Sequence, residues 1–96
     1  DGRVGAGHAL DLPFTFDALD NPLSEALTGA GAPTGLARAM HRSWVSFVAT
    51  GDPGTPELPA WPRHDPDERP VLDFGDTIEV LHDPLGDEVA LWRGVR

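Results

Sequence analysis

The sequence predicts an α/β chain: one long amphipathic helix and a short β-hairpin, linked by loops rich in proline and glycine. Three observations carry that expectation. Leu36, Met40, Trp44 and Val48 recur every four residues with Ala37 and Phe47 beside them, while Arg38, Arg42 and Ser46 fall on another face. That is the period of a helix with one side buried and one side wet. Val71-Leu72-Asp73-Phe74 and Thr77-Ile78-Glu79-Val80-Leu81 read as two strands. Gly75-Asp76 between them suits a two-residue hairpin turn in which the glycine takes a positive φ. Finally, the three tryptophans and four phenylalanines are spread over separate elements. Each aromatic ring seeks to bury roughly 150–250 Å², and one helix with one hairpin offers too little opposing surface for all of them.

In chain order, residues 1–7 are expected to form a loop that delivers His8. Residues 9–12 suit a short helical turn, which Pro13 should end by disfavouring helical backbone at Leu12. Phe14 and Phe16 alternate with Thr15, the pattern of a brief extended piece. Residues 17–21 read as loop, and Pro22, well placed as a first helical residue, opens a short helix through Leu27. Residues 28–33, Thr-Gly-Ala-Gly-Ala-Pro, form a flexible connector. The long helix spans residues 35–50, with the Thr34 hydroxyl as its N-cap. Gly51 supplies a left-handed stop and Pro53 prevents continuation.

Residues 52–70 are rich in proline and polar side chains and show no regular period. Such a length suits a segment crossing the surface of a larger body, with Trp61, between Ala60 and Pro62, as its anchor. Two strands alone are marginal and want a larger sheet to lean on. Residues 87–95 are expected to close the chain as a short helix with Val89 and Trp92 on one side. No internal repeat, low-complexity tract or boundary divides the chain, so residues 1–96 read as one portion of a single domain.

The 96 residues include ten prolines and eleven glycines, which favour loops over long regular elements. Seven basic against sixteen acidic residues give a net charge of −9. That balance repels phosphate backbones and anionic lipid, so neither nucleic acid nor membrane is an expected partner. No apolar run approaches the 18 or so residues a membrane span requires. With no cysteine there is no disulfide framework and no thiolate metal site. A chain that opens on Asp1 within a loop reads as part of a longer product.

Chemistry concentrates in residues 5–16, Gly-Ala-Gly-His-Ala-Leu-Asp-Leu-Pro-Phe-Thr-Phe. Glycines before His8 allow tight or left-handed backbone and close approach by other groups. Imidazole, with an unperturbed pKa of about 6.5, can take and return a proton near neutrality. By itself the pattern fits a turn histidine as well as a catalyst. The chain has no Gly-x-Ser-x-Gly turn to carry a nucleophile, and its serines are Ser24, Ser43 and Ser46, the last two on the amphipathic helix. His41, His64 and His82 match no zinc spacing and read as structural. The acidic groups at Asp65, Asp67, Glu68 and at Asp83, Asp87, Glu88 lack the spacing of a calcium loop and read as solvated surface.

The 5–16 string resembles the histidine segment of the type-B carboxylesterases, which include para-nitrobenzyl esterases, mammalian carboxylesterases and cholinesterases. The resemblance continues through Leu36-Ala37-Arg38-Ala39-Met40, Trp44-Val45-Ser46-Phe47, Thr50-Gly51-Asp52-Pro53-Gly54 and Leu58-Pro59-Ala60-Trp61-Pro62. It implies the C-terminal part of an α/β-hydrolase: a catalytic-histidine loop, a long helix, a hairpin and a terminal helix. It further implies hydrolysis of small carboxylic esters by a Ser-His-Glu/Asp triad without cofactor or metal. His8 would be the triad histidine, with the nucleophile, the acid and the oxyanion hole in the upstream part of the same chain. The triad order Ser, acid, His along such chains agrees with a His-only segment. Asp11 matches an acidic family position three residues after the histidine, often Glu, and its implied role is to hold nearby polar groups and the loop, the alternative being an ordinary cap for a short turn. The lack of cysteine fits a bacterial relative in a reducing compartment such as the cytoplasm. Two other readings are a cholinesterase-like adhesion protein without catalysis and a stand-alone acidic interaction module.

Overall fold

The computed structural model describes residues 5–95, so the loop expected over residues 1–7 lies partly outside the described residues. Two compact units divide the chain, one ending at Leu58 and the other starting at Pro59.

The first unit is helical. α1 (Leu12–Thr15) follows a turn over residues 8–11. Pro13 does not end a helical turn, as the sequence suggested, but lies buried in the first turn of α1. A first-turn N–H has no intrahelical partner, so its loss there costs nothing. The extended piece expected at 14–16 is also absent, since Phe14 and Thr15 are helical and Phe16 caps the end at φ −95°. α2 (Pro22–Thr28) opens as expected on Pro22. Its cap is Asn21, whose Oδ1 accepts from the Ser24 N–H at 3.0 Å. Gly29 and Gly31, at φ 81° and 80°, turn the connector.

α3 (Thr34–Thr50) is the longest element. Its N-cap is the extended residue Pro33 rather than Thr34, and no side chain caps it. Gly51 ends it in the left-handed region, its N–H donating to the Phe47 carbonyl at 2.7 Å. The burial pattern of α3 corrects the sequence reading. Ala37 and Ser43 are buried, whereas Trp44, Phe47 and Val48 are 54%, 49% and 81% exposed. The cause is the chain after Gly51, which returns along the hydroxyl-bearing side. Ser43 Oγ donates to the Pro53 carbonyl at 2.8 Å and Ser46 Oγ to the Asp52 carbonyl at 2.7 Å. Arg42 also pairs with Glu57 of that segment. Loop carbonyls need donors, and the serines provide them where an apolar face could not.

The second unit is a hairpin with flanking turns. β1 (Pro70–Phe74) and β2 (Ile78–His82) pair antiparallel, from Pro70 opposite His82 to Phe74 opposite Ile78. The connection therefore comprises residues 75–77, one more than expected, and Gly75 is not left-handed. Leu72 is buried, and the Trp61 ring meets Phe74 edge-on with centroids 6.2 Å apart. At the open end of the hairpin Arg69 and Asp83 are both left-handed, at φ 45° and 49°. The Asp83 N–H donates to the Arg69 carbonyl at 3.1 Å, and Arg69 Nε donates to Asp83 Oδ1 at 2.9 Å. α4 (Gly86–Ala90) is shorter than the helix expected over 87–95. Residues 91–94 continue only as turns, Gly94 is left-handed and Trp92 is 71% exposed.

Two expectations follow. A Cβ at Gly86 would meet Asp83 Oδ2 at 2.3 Å. Gly86→Ala should therefore push that carboxylate off Arg69 and cost about 1 kcal/mol, within the range of a well-aligned surface pair. In an Asp83→Ala background the same change should be neutral or stabilising, because alanine is the better helix former; urea titration of all four variants checks this. Asp65 Oδ1 accepts from the N–H groups of Glu68 and Asp67, at 3.0 and 2.8 Å. These bonds, that from Glu68 first, hold its carboxyl below the usual aspartate range. The order it gives this turn is full above the unfolded-state value and fades as pH falls through the lowered one. A carboxyl-carbon NMR titration should place the Asp65 midpoint below that of an ordinary aspartate.

Candidate active site

His8 sits in a turn built by left-handed backbone on both sides. Gly5 has φ 56° and Ala9 has φ 65°. The Gly7 N–H closes on the Gly5 carbonyl at 3.0 Å, and the Leu12 N–H closes on the Ala9 carbonyl at 3.3 Å. The chain then passes directly into α1, where the Asp11 carbonyl accepts from Phe14 and Thr15 at 3.1 and 2.8 Å. His8 and Asp11, the two site residues expected from the sequence, thus share one turn, and both are exposed. Asp11 occupies the N-cap position of α1 with helical backbone, and its carboxylate makes no cap hydrogen bond.

The serines do not join this turn as nucleophiles. Ser43 and Ser46 spend their hydroxyl protons on loop carbonyls, and Ser24 is buried in the first turn of α2. His82 lies 3.7 Å from Glu68 with both side chains exposed. His64 borders an open cavity of about 370 Å³ with Arg69, Val71 and Pro84. A larger open cavity of about 550 Å³ lies between the connector and α3, rimmed by Asp17, Asp20, Glu25 and Arg38, and includes neither His8 nor Asp11. Among the described residues no three His, Cys, Asp or Glu side chains group so as to hold a metal ion. No helix among the described residues is long and apolar enough to cross a membrane.

His41, read from the sequence as a structural histidine, makes a hydrogen bond between two elements. Its Nδ1 lies 3.0 Å from the Thr15 carbonyl, joining α3 to the end of α1. Nothing in the helical spacing announces this contact, because its partner is a backbone atom 26 residues away.

Several known proteins are similar to this chain over most of its length. No protein-family model matches the chain. A phenmedipham hydrolase of Pseudarthrobacter oxydans is 39% identical over 87 residues, covering 86% of this chain and 18% of that protein. A para-nitrobenzyl esterase of Bacillus subtilis is 33% identical over 86% of this chain and 17% of its own length. Carboxylesterase 4A of Bos taurus is 31% identical over 93% of this chain and 15% of its own. The crystal structure of a Geobacillus stearothermophilus carboxylesterase superposes with a TM-score of 0.77 at 38% identity, over 91% of this chain and 19% of that one. The chain therefore spans less than a fifth of the length of each of these relatives. The helices and the two-stranded antiparallel sheet are consistent with part of that carboxylesterase, α/β-hydrolase fold.

Because the Asp11 carboxylate supports no backbone group of α1, Asp11→Ala should leave stability within about 0.5 kcal/mol of the parent. Amide-exchange protection at Phe14 and Thr15 should be unchanged, and its loss in the variant would make Asp11 a structural cap instead.

Proposed function

Since the chain is similar to carboxylesterases in sequence and in fold over most of its length, we propose that it is the C-terminal, histidine-bearing part of a serine carboxylic-ester hydrolase. In this reading all 96 residues are one portion of a single α/β-hydrolase domain. His8 is the general base and acid of a Ser-His-Glu/Asp triad. Serine, acid and oxyanion-hole N–H groups come from the upstream part of the same chain, and the substrate is a small carboxylic ester.

The observation that carries this is the His8 turn. An imidazole exposed on a left-handed, glycine-led turn, within a segment similar to esterases, is free to meet a hydroxyl from elsewhere. The serines of the chain support it from the other side, since Ser43 and Ser46 are tied to carbonyls. The exposed side chains of Trp44, Phe47 and Val48 suit contact with the rest of such a domain.

The chemistry then follows the triad pattern. The imidazole of His8 takes the serine proton as the oxygen attacks the ester carbonyl, and the oxyanion is held by backbone N–H groups. The imidazolium returns that proton to the departing alkoxide, leaving an acyl-serine and a free alcohol. Water then attacks the acyl group, giving its proton to His8, and the acid product leaves as the proton passes back to serine. Neither metal nor cofactor enters any of these steps. Asp11 acts beside the turn by hydrogen-bonding polar groups that hold the histidine loop against the nucleophile.

In the full-length protein, His8→Ala should lower kcat/KM for para-nitrophenyl acetate by about 10⁴-fold or more, because triad members act as a unit. Near-normal turnover would remove His8 from the mechanism. The 96-residue chain alone should show no His8-dependent hydrolysis of the same ester.

A further inference from the structure

We propose that His41 is a positioning residue for His8, acting through the carbonyl of Thr15 at the end of α1. The inference rests on His8 being the proton carrier of the hydrolase.

α1 is only four residues long, too short to hold its shape by helix propensity. Its carbonyls are those of a helix end, where partners must be found outside the helix ladder. Leu12 O accepts from Phe16 N at 3.0 Å, Pro13 O from Ala18 N at 2.8 Å and Phe14 O from Asp17 N at 3.2 Å. Thr15 O accepts from His41 Nδ1 at 3.0 Å. Among the described residues this last bond alone ties an α1 carbonyl to another secondary-structure element. A carbonyl can only accept, so Nδ1 carries the proton whether the ring is neutral or charged. In the neutral ring the bare nitrogen is then Nε2.

Two backbone hydrogen bonds, joined by the covalent chain between them, lead from the tie to the residue after His8. Thr15 N–H donates to the Asp11 carbonyl at 2.8 Å, and Leu12 N–H donates to the carbonyl of Ala9, the residue after His8, at 3.3 Å. A shift of Thr15 therefore carries Asp11 and Ala9 with it. The other end of the tie is firm. α3 runs 17 residues, and Ala37, one turn before His41 on the same face, has no exposed surface. Proton transfer needs a heavy-atom separation of roughly 2.6–3.2 Å, and a misplacement of about 1 Å can cost on the order of 100-fold. A side chain that fixes α1 thereby fixes the distance over which His8 works.

The test uses the full-length protein with para-nitrophenyl butyrate. His41→Leu removes the donor at similar volume, whereas His41→Asn places an amide N–H near the position of Nδ1. His41→Leu should lower kcat about 10- to 100-fold with KM within about twofold, and His41→Asn should recover most of the loss. Equal losses in the two variants, or an unchanged kcat in His41→Leu, would overturn the proposal. Should His41→Leu fail to fold, nitrogen-15 NMR of the wild-type imidazole decides. A neutral His41 ring protonated at Nδ1 supports the tie, and a bare Nδ1 refutes it. A wild-type protein with no His8-dependent turnover ends the reading of His8 and this inference together. An active wild type with an indifferent His41→Leu ends this inference alone.

Discussion

Backbone carbonyls that no helix or strand can serve must still find donors, and in the first unit α3 supplies them. His41 serves Thr15, Ser43 serves Pro53 and Ser46 serves Asp52. One helix thus holds the chain that precedes it and the chain that follows it. Each bond contributes about 1 kcal/mol net, but leaving a buried acceptor unmade costs about 1–3 kcal/mol. That asymmetry explains why Ser43 is buried on α3 while Trp44, its neighbour, is not. The hydroxyl is needed where the returning loop lies, and the indole is not.

Apolar burial plays the smaller part. Ala37, Leu58 and Leu72, with Pro13 and Pro70, are the buried apolar side chains among the described residues, and none of the large ones is fully hidden. Trp44, Phe47 and Val48 form instead an exposed apolar side of α3, and contiguous apolar surface of this kind marks a site of contact. Burying such side chains contributes roughly 1.5–3 kcal/mol each, so the surface is a substantial reserve. The proposed hydrolase gives that reserve a partner in the remainder of its own domain.

Much of the fold was legible in the sequence because it rests on local rules. The period of residues 36–48, the stop at Gly51, the start at Pro22 and the two alternating strands each follow from chemistry within a few residues. What was not legible depends on choices the chain makes at longer range. Pro13 could end one turn or begin another, and only the helix that formed after it decides. Gly75 suited a two-residue turn, but the pairing of Phe74 with Ile78 left three residues in the loop. Helical periodicity showed that α3 has an apolar side, not that the returning loop would cover its serines. Within the candidate site, His8 and Asp11 were visible as residue types in a motif. His41 was not, since its partner is a peptide carbonyl and carbonyls leave no mark in a sequence.

The backbone around His8 gives that hidden contact its physical weight. Ala9 sits at φ 65°, a region that costs a residue with a Cβ roughly 1–2 kcal/mol. Such a conformation persists only where the surroundings over-determine it. The restraint closest to it is the Leu12 N–H on the Ala9 carbonyl, and Leu12 opens a helix too short to be rigid alone. The rigidity must come from beyond α1, and the Thr15–His41 bond to α3 is a route by which it can. A strained residue immediately after the histidine and a tertiary tie at the far end of the same short helix are two ends of one device. In the proposed reading it sets the backbone from which the exposed His8 imidazole is presented.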